Sequence, residues 1–163
     1  MLKAGALFVF LALLLSCLNF ISYQVIKRRI LKKRRWGLNI CCGKTDGGGM
    51  NADIVRHREV NNFHHLKDIY NLPFKDKMFK WVLCSHTIEH IEDPERFDRE
   101  LRRVGRRVVY IIPPLWDIGA VMNIFEHKWI FLTLKKTHYR LPKYIKLPFA
   151  RTIQQIMGQR ISA

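Results

Sequence analysis

The chain has 163 residues, of which 48% are hydrophobic and 12% aromatic, and its formal net charge is +16. This length allows one domain with an appendage, and the apolar content excludes disorder for the middle of the chain. The charge favours anionic partners, either phospholipid head groups or nucleic acid, although nothing beyond the charge points to nucleic acid. Four cysteines (Cys17, Cys41, Cys42 and Cys84) lie in apolar surroundings without paired metal spacing, which is typical of a reducing compartment.

The first element is an uncharged run of 20 residues from Ala4 to Tyr23. At about 1.5 Å per residue, a helix of this length spans roughly 30 Å, so residues 4–23 are predicted to cross a membrane. The following segment, residues 24–36, includes Lys27 to Arg35 with seven positive charges in nine residues, whereas only Lys3 precedes the run. The positive-inside rule therefore predicts a single-pass membrane protein whose C-terminal domain is cytoplasmic. The same basic block is expected to bind anionic lipid.

A cleaved export signal is the alternative for this run, because Ser16-Cys17 loosely resembles a lipoprotein cleavage site. The apolar run continues past Cys17, and the basic block after it opposes export, so we favour a membrane anchor. Trp36 ends the basic segment, where it is expected either at the membrane interface or as the first core residue of the domain.

The predicted domain, residues 37–134, begins with an apolar run from Leu38 to Cys42 and a glycine-rich loop from Gly43. Glycines after a buried strand let backbone amides approach a ligand closely. A second strand-like segment, Met50 to Ile54, contains Asp53 near its end, where a carboxylate can accept hydrogen bonds from ribose hydroxyls. Eight residues separate Gly43 from Ala52, fewer than the 10 to 12 or so of a helical crossover, so the first half of the sheet is expected to be abbreviated.

The best-formed unit is a βαβ unit. An apolar strand from Phe79 to Cys84 precedes a helix from Pro94 to Val104, and a second strand runs from Val108 to Ile112. Asp93 is expected to cap the helix, and Gly105 is expected to stop it. The fold class predicted from this pattern is α/β.

Three stretches of this unit, Leu72 to Phe79, Ser85 to Ile91 and Pro94 to Val104, follow a specific order and spelling. They resemble the class I (Rossmann-like) S-adenosylmethionine-dependent methyltransferases, especially the type 11 group. Upstream, Leu38 to Lys44 is similar to that family's strand-one glycine loop, and Asn51 to Asp53 to the acidic end of its strand two. The resemblance covers about residues 38 to 114.

The resemblance implies an abbreviated Rossmann-like sheet and S-adenosylmethionine as the cofactor. It places Cys41 and Gly43 in the glycine loop, and Asp53 on the ribose of the cofactor. Asp68 would contact the adenine amino group, with Ile69 supplying the adjacent amide. Ser85 and His86, after the fourth strand, would meet the methionine part. The resemblance identifies no catalytic base.

The stretch from His86 to His90 also fits H-x-x-E-H, the zinc site of inverted zincin peptidases. That site needs one helix through all five residues and a third ligand on another helix. Because Asp93 and Pro94 mark a helix start after His90, we favour the methyltransferase and expect no metal. A different alternative is a non-catalytic module of the same fold that binds anionic lipid, RNA or a protein at the membrane, which Cys41, Thr45 and Lys80 favour as departures from the family pattern.

The end of the chain is the least informative part. Residues 115–134 include His127, which is expected either to face the methyl acceptor or to lie at the edge of the core. Residues 135–163 form a basic segment that is interrupted by Pro142 and Pro148 and is too short for a clear final pair of antiparallel strands. The sequence therefore predicts a membrane-anchored, cytosol-facing methyltransferase without identifying its acceptor.

Overall fold

The computed structural model of the chain describes residues 2–33 and 36–159, with side chains from residue 5 onward. Arg34 and Arg35 of the basic block, and the last four residues of the C-terminal segment, lie outside the described residues. The chain starts with one continuous helical rod. It consists of α1 (Leu2–Phe20), a π-helical segment (Ile21–Lys27) and α2 (Arg28–Lys32).

This rod is long and apolar enough to cross a membrane, by length and composition. Within Gly5–Lys32 the mean hydropathy reaches 2.2 over an 18-residue stretch, and only 6% of that stretch is buried. A signal sequence near an N-terminus meets the same criteria. Large apolar side chains such as Phe8 and Leu13 are exposed along the rod.

The domain is built on a six-stranded sheet with the order β3-β2-β1-β4-β5-β7. Neighbours from β3 to β5 are parallel, and β7 is antiparallel to β5. The strands are β1 (Leu38–Ile40), β2 (Met50–Asp53), β3 (Phe63–His65), β4 (Val82–Ser85), β5 (Val108–Ile111) and β7 (Thr137–His138). A separate antiparallel pair is formed by β6 (Trp129–Phe131) and β8 (Tyr144–Lys146).

The expectation of an abbreviated first half is confirmed. Residues 41–81, all of which the structure describes, contain no helix, so β1 to β4 are joined by turns and loops alone. Between β4 and β5 the chain forms α3 (Pro94–Val104), with the predicted bounds. The Asp93 side chain accepts a hydrogen bond from the Arg96 amide, and Gly105 follows the last turn. Two shorter helices complete the domain, α4 (Ile118–Val121) and α5 (Ala150–Met157).

The main core lies between α3 and one face of the sheet. Phe97, Leu101 and Val104 of α3 are fully buried against sheet residues that include Ile40 and Tyr110. Trp36 is 2% exposed and packs with Leu83 and Val109 on the other face of the sheet. Of the two places expected for Trp36, the structure therefore shows the first core residue.

Two sequence-based expectations differ from the structure in detail. The fourth strand starts at Val82 rather than Phe79, because the Phe79 ring packs into the core against Phe74 and its backbone makes only an isolated bridge to Gly105. The C-terminal segment was expected to be too short for clear final strands, yet it supplies β7 and β8.

Candidate functional site

The strand order reverses between β1 and β4, and we place the candidate site at this position. Because β3, β2, β1 and β4 are parallel, their carboxyl ends meet at one edge of the sheet. Open α/β sheets bind ligands in the crevice at such a reversal. The structure places the seven predicted cofactor residues at this carboxyl edge, namely Cys41, Gly43, Asp53, Asp68, Ile69, Ser85 and His86.

The glycine loop turns sharply after β1. Cys41 and Gly43 both have left-handed backbone conformations, with φ of 48° and 53°. This conformation is favourable for glycine and strained for cysteine. The turn is fastened to β2, because the Gly43 amide donates a hydrogen bond of 2.9 Å to Asp53 Oδ2. Burial raises the pKa of the Cys41 thiol well above its ordinary value, so Cys41 is a neutral lining group.

A buried polar pair holds the rest of this loop. Asn39 Nδ2 donates to Asn51 Oδ1 at 3.0 Å and to the Thr45 carbonyl at 2.8 Å. Asn51 Oδ1 also accepts from the Gly47 amide at 2.9 Å. The sequence alone assigns Asn39 no role. Its structural task is to tie the loop to two adjacent strands.

Asp53 is the last residue of β2, and its carboxylate already accepts hydrogen bonds from the backbone. Besides the Gly43 amide, it accepts from the Ile54 amide at 2.7 Å, and the residue is 9% exposed. Asp68 follows β3, is exposed, and accepts from the Tyr70 amide at 2.8 Å. Ile69 packs against the main core. Each carboxylate oxygen has two lone pairs, so both acids retain acceptor capacity for a ligand.

Ser85 and His86 lie at the end of β4 under the helical rod. Tyr23 stacks on the His86 ring with centroids 4.4 Å apart, and its hydroxyl lies 2.9 Å from His86 Nδ1. His86 Nδ1 also lies 3.1 Å from Glu89 Oε1. Ser85 Oγ and His86 Nε2 are buried and lack a hydrogen-bond partner. A ligand bound at the carboxyl edge would supply the missing hydrogen-bond partners of these two atoms.

Beside His86 lies a cluster that only the folded chain assembles. Glu89, His90 and His127 are all buried, and one ligand atom from each lies within 4.8 Å of the other two. The rings of His90 and His127 meet edge to face with centroids 4.7 Å apart. We name these three residues the Glu89 cluster. His127 was expected either at the acceptor or at the core edge, and it lies buried within this cluster.

The electrostatics of this region follow from burial. Burial lowers the pKa of His86 to about 4, so its ring is neutral at pH 7. Burial alone would raise the pKa of Glu89, but the hydrogen bond from His86 and the nearby imidazoles of His90 and His127 outweigh it and hold the pKa below its ordinary value. The result is a buried carboxylate paired with a neutral imidazole, whose Nδ1–H donates to it.

The contacts that attach the rod to the domain include three near its C-terminal half. Lys136 Nζ donates to Ser22 Oγ at 2.6 Å, and Asn19 Nδ2 donates to Asp117 Oδ1 at 3.2 Å. The third is the Tyr23–His86 stack. Lys136 is 6% exposed, and burial lowers its pKa to about 8. Sequence reasoning missed Tyr23, Lys136 and Asp117 because each lies far along the chain from His86 and in no recognised motif.

Two grooves lie elsewhere on the domain. One of about 630 Å³ is lined by Gly37, Met50 and Phe63 at the amino ends of three strands, opposite the carboxyl edge. A second of about 600 Å³ lies between α3 and residues 140–144. Neither groove is lined by any of the seven predicted cofactor residues, so we assign the site from the sheet topology and the unpartnered atoms rather than from groove size.

The H-x-x-E-H interpretation fails on geometry. His86 to His90 form turns rather than a helix, and the helix begins at Pro94. His86 Nδ1 is occupied by Glu89 and Tyr23. The helical pair of zinc ligands that a zincin peptidase requires is therefore absent from this described segment.

Comparisons with known proteins match parts of the chain. Residues 44–112 match the family model described as a methyltransferase domain. Over 38 residues the chain is 50% identical to norajmaline N-methyltransferase of Rauvolfia serpentina, which is 23% of this chain and 13% of that protein.

Solved structures also match in part. A methyltransferase from Thermotoga maritima, described as a possible histamine N-methyltransferase, has 22% identity and a TM-score of 0.44 over 58% of this chain and 55% of its own. A methyltransferase from Aquifex aeolicus has 14% identity and a TM-score of 0.43 over 59% and 68%. The chain thus spans 13% of the curated relative and about half of the Thermotoga protein.

Proposed function

We propose that this chain, which belongs to the type 11 group of class I methyltransferases through residues 44–112, transfers a methyl group at a membrane surface. S-adenosylmethionine is the cofactor that this family implies. The observation that carries the proposal is the carboxyl edge at the β1–β4 reversal, where the motif residues meet and where Ser85 Oγ and His86 Nε2 lie buried without partners.

The residues at this edge fit the cofactor. The tight turn at Cys41 and Gly43 brings backbone close to the crevice, and Asp53 offers the acceptor lone pairs that ribose hydroxyls need. Asp68 and Ile69 are proposed to hold the adenine, and Ser85 and His86 the methionine part. When bound, the cofactor supplies an electrophilic methyl group on sulfur. The protein supplies alignment and the exclusion of water.

His86 is the best-placed group on the acceptor side. Its Nδ1–H points to Glu89 and Tyr23, so its Nε2 carries a lone pair. A neutral ring with a buried lone pair can accept a hydrogen bond from the acceptor nucleophile and fix its orientation. We assign His86 this positioning task because its lowered pKa of about 4 makes it a weak base.

Membrane anchoring is the second part of the proposal. It is supported by the uncharged run Ala4 to Tyr23, by the exposed apolar side chains along the rod, and by the basic block that follows. We propose a single pass with the domain in the cytoplasm and the basic block, Lys27 to Arg35, on anionic lipid.

A non-catalytic module is the second candidate, and two observations favour it. The Asp53 carboxylate is already bonded to the Gly43 and Ile54 amides, and Tyr23 covers one face of His86. In a protein that no longer binds the cofactor, these contacts would serve only to stabilise the fold. Cofactor binding therefore decides between the two candidates.

The deciding experiment is calorimetry of the full chain in detergent micelles with S-adenosylmethionine and with its demethylated product. The methyltransferase should bind both with dissociation constants in the range of about 1 μM to 1 mM that is usual for enzyme substrates. Asp76→Ala is the matched control, because Asp76 is an exposed acid paired with Arg103 on the α3 side. Absence of heat and of thermal stabilisation by either compound up to about 1 mM would support the module.

A further inference from the structure

The Glu89 cluster has the composition of a cation site that the methyltransferase motif does not explain. One carboxylate and two imidazoles converge from a turn after β4 and from the segment before β6. All three side chains are at least nine-tenths buried. A set of two histidines and one glutamate is a donor set used for divalent transition metals, whereas magnesium and calcium prefer oxygen donors alone.

The two histidines have hydrogen-bond partners in the backbone, as metal ligands usually do. His90 Nδ1 lies 3.1 Å from the Glu126 carbonyl oxygen. Because a carbonyl only accepts, Nδ1 carries the hydrogen and Nε2 presents its lone pair. The backbone of Val121 is a hydrogen-bonding partner of the His127 ring. A hydrogen bond from the second nitrogen to a backbone carbonyl fixes the tautomer that a metal requires.

Glu89 provides the independent observation. It is 1% exposed, Oε1 is paired with His86, and Oε2 has no hydrogen-bond partner. A buried carboxylate oxygen without a partner is costly, since neither water nor a donor replaces its lost hydration. The buried ammonium of Lys136 donates instead to Ser22. A cation between the three residues would satisfy Oε2 directly.

We propose that Glu89, His90 and His127 bind one divalent first-row transition-metal ion. Rotations that move the ligand atoms by about 1 Å or less bring them to the usual metal distances of about 2.0 to 2.2 Å. Three protein ligands leave at least one coordination position for water or for an oxygen of the acceptor. The inference does not depend on methyl transfer, because the same site can exist in a non-catalytic module.

This site differs from both sequence-based alternatives. The methyltransferase interpretation carried the expectation of no metal, and the peptidase interpretation used His86 and His90 as a helical pair. The structure instead combines adjacent Glu89 and His90 with His127, which is 37 residues further along the chain. Only the fold around β4 and β6 brings them together.

The test is metal analysis of the untagged full chain in detergent, followed by titration with Zn²⁺ and with Co²⁺ after chelation. We expect one equivalent of bound metal per chain, and visible d–d absorption of bound Co²⁺. His127→Gln and Glu89→Gln should each weaken Zn²⁺ binding at least about 100-fold. Loss of a residue that only hydrogen-bonds to a metal ligand already weakens binding by up to about 100-fold, and these variants lose a ligand itself. His138→Gln is the matched control, because His138 is half-buried on β7 and hydrogen-bonds to Thr133, outside the cluster.

Circular dichroism of each variant separates lost ligation from lost folding, and His90→Gln provides a third variant if one of the others fails to fold. Stoichiometric metal that is lost in the cluster variants and kept in His138→Gln would support the proposal. Zn²⁺ binding weaker than about 100 μM in the wild-type chain, or binding unchanged in folded cluster variants, would overturn it. Cofactor calorimetry on the same preparations keeps this result separate from that of the proposed function.

Discussion

The Tyr23 ring lies on the His86 ring, with centroids 4.4 Å apart and with the Tyr23 hydroxyl 2.9 Å from His86 Nδ1. The two residues are 63 positions apart, one on the helical rod and the other at the end of β4. The segment that we propose as a membrane anchor is thus also a wall of the site. If the rod is a membrane anchor, as we propose, the position of the domain at the membrane is coupled to the environment of His86.

The first prediction concerns this wall. Tyr23→Ala removes the ring that covers His86, so His86 should react with diethyl pyrocarbonate several-fold faster than in the wild-type chain. Tyr23→Phe keeps the ring and should leave the rate close to the wild-type rate. Mass spectrometry of the modified peptides measures both, with exposed His57 as the internal standard. Equal His86 rates in all three proteins would contradict the stacking.

A second prediction concerns Asp53. Asp53→Asn keeps one oxygen for the Gly43 amide but removes the charge, so S-adenosylmethionine binding should weaken by about 1.5 to 3 kcal/mol, the range for a charge-assisted hydrogen bond. Calorimetry gives the affinity, and a thermal melt shows whether the loop is intact. Unchanged affinity in a folded variant would remove Asp53 from the cofactor site.

A third prediction tests the close approach of the glycine loop to β1. A Cβ at Gly49 would lie 2.0 Å from the Trp36 carbonyl oxygen, a backbone atom that cannot move aside. Gly49→Ala should therefore lower the free energy of unfolding by about 1 to 3 kcal/mol, as overpacking does. Gly119→Ala is the control, because its Cβ meets nothing within 4 Å and it lies in helix α4. Urea titration in detergent measures the free energy of unfolding of both variants, and it should be lower for Gly49→Ala than for Gly119→Ala.

The parts of the fold that were predicted correctly depend on local signals. Helix α3 has the expected bounds, Pro94–Val104, because a capping aspartate, a first-turn proline, the spacing of the apolar residues and a terminal glycine all lie within a dozen residues. The short crossover after Gly43 was likewise predictable from length alone. The family resemblance supplied the order of the candidate cofactor residues along the carboxyl edge, although their contacts with a cofactor stay predictions.

The parts that were missed depend on contacts between distant residues. Lys136 and Ser22 are 114 positions apart, and His127 meets His90 across 37 positions. Neither pair shares a helix or a strand, so no period of 3.6 or 2 residues connects them in sequence. The motif H-x-x-E-H, by contrast, was correctly set aside on a local signal. Its spacing suggests a helix, but the capped start at Pro94 leaves His86 to His90 in turns.

A fourth prediction concerns the pH dependence of stability. Glu100 accepts from Arg103 at 2.7 Å and from the Leu72 amide at 2.6 Å, and its side chain is 11% exposed. The Arg103 hydrogen bond lowers the pKa of Glu100 in the folded chain. The ionised Glu100 side chain therefore contributes fully to the free energy of unfolding above the unfolded pKa of about 4.3, and this contribution is lost as the pH falls through the pKa of the folded state.

Glu100→Gln should therefore be less stable than the wild type by about 1 to 3 kcal/mol at pH 7, and this difference should narrow at pH values below about 4.3. Urea unfolding at a series of pH values measures it. Asp76→Asn serves as the comparison, because its side chain is 75% exposed and its ion pair with Arg103 is screened by solvent. A difference that stays constant from pH 7 to pH 3 would show that ionisation of Glu100 does not matter.

The last prediction concerns topology. Phe10 and Leu13 are exposed near the middle of the uncharged run. Replacing both with lysine should prevent the helix from spanning the membrane, because each lysine raises the free energy of insertion by about 2.5 to 3.5 kcal/mol. The contacts of Ser22 and Tyr23 with the domain should remain. The wild-type chain and a Phe10→Leu, Leu13→Ile control should resist carbonate extraction, and the lysine variant should be extracted. Protease added outside intact cells should spare the domain. Cleavage near Ser16-Cys17, or digestion of the domain from outside, would instead identify the run as an export signal and would separate the domain from its cytoplasmic cofactor.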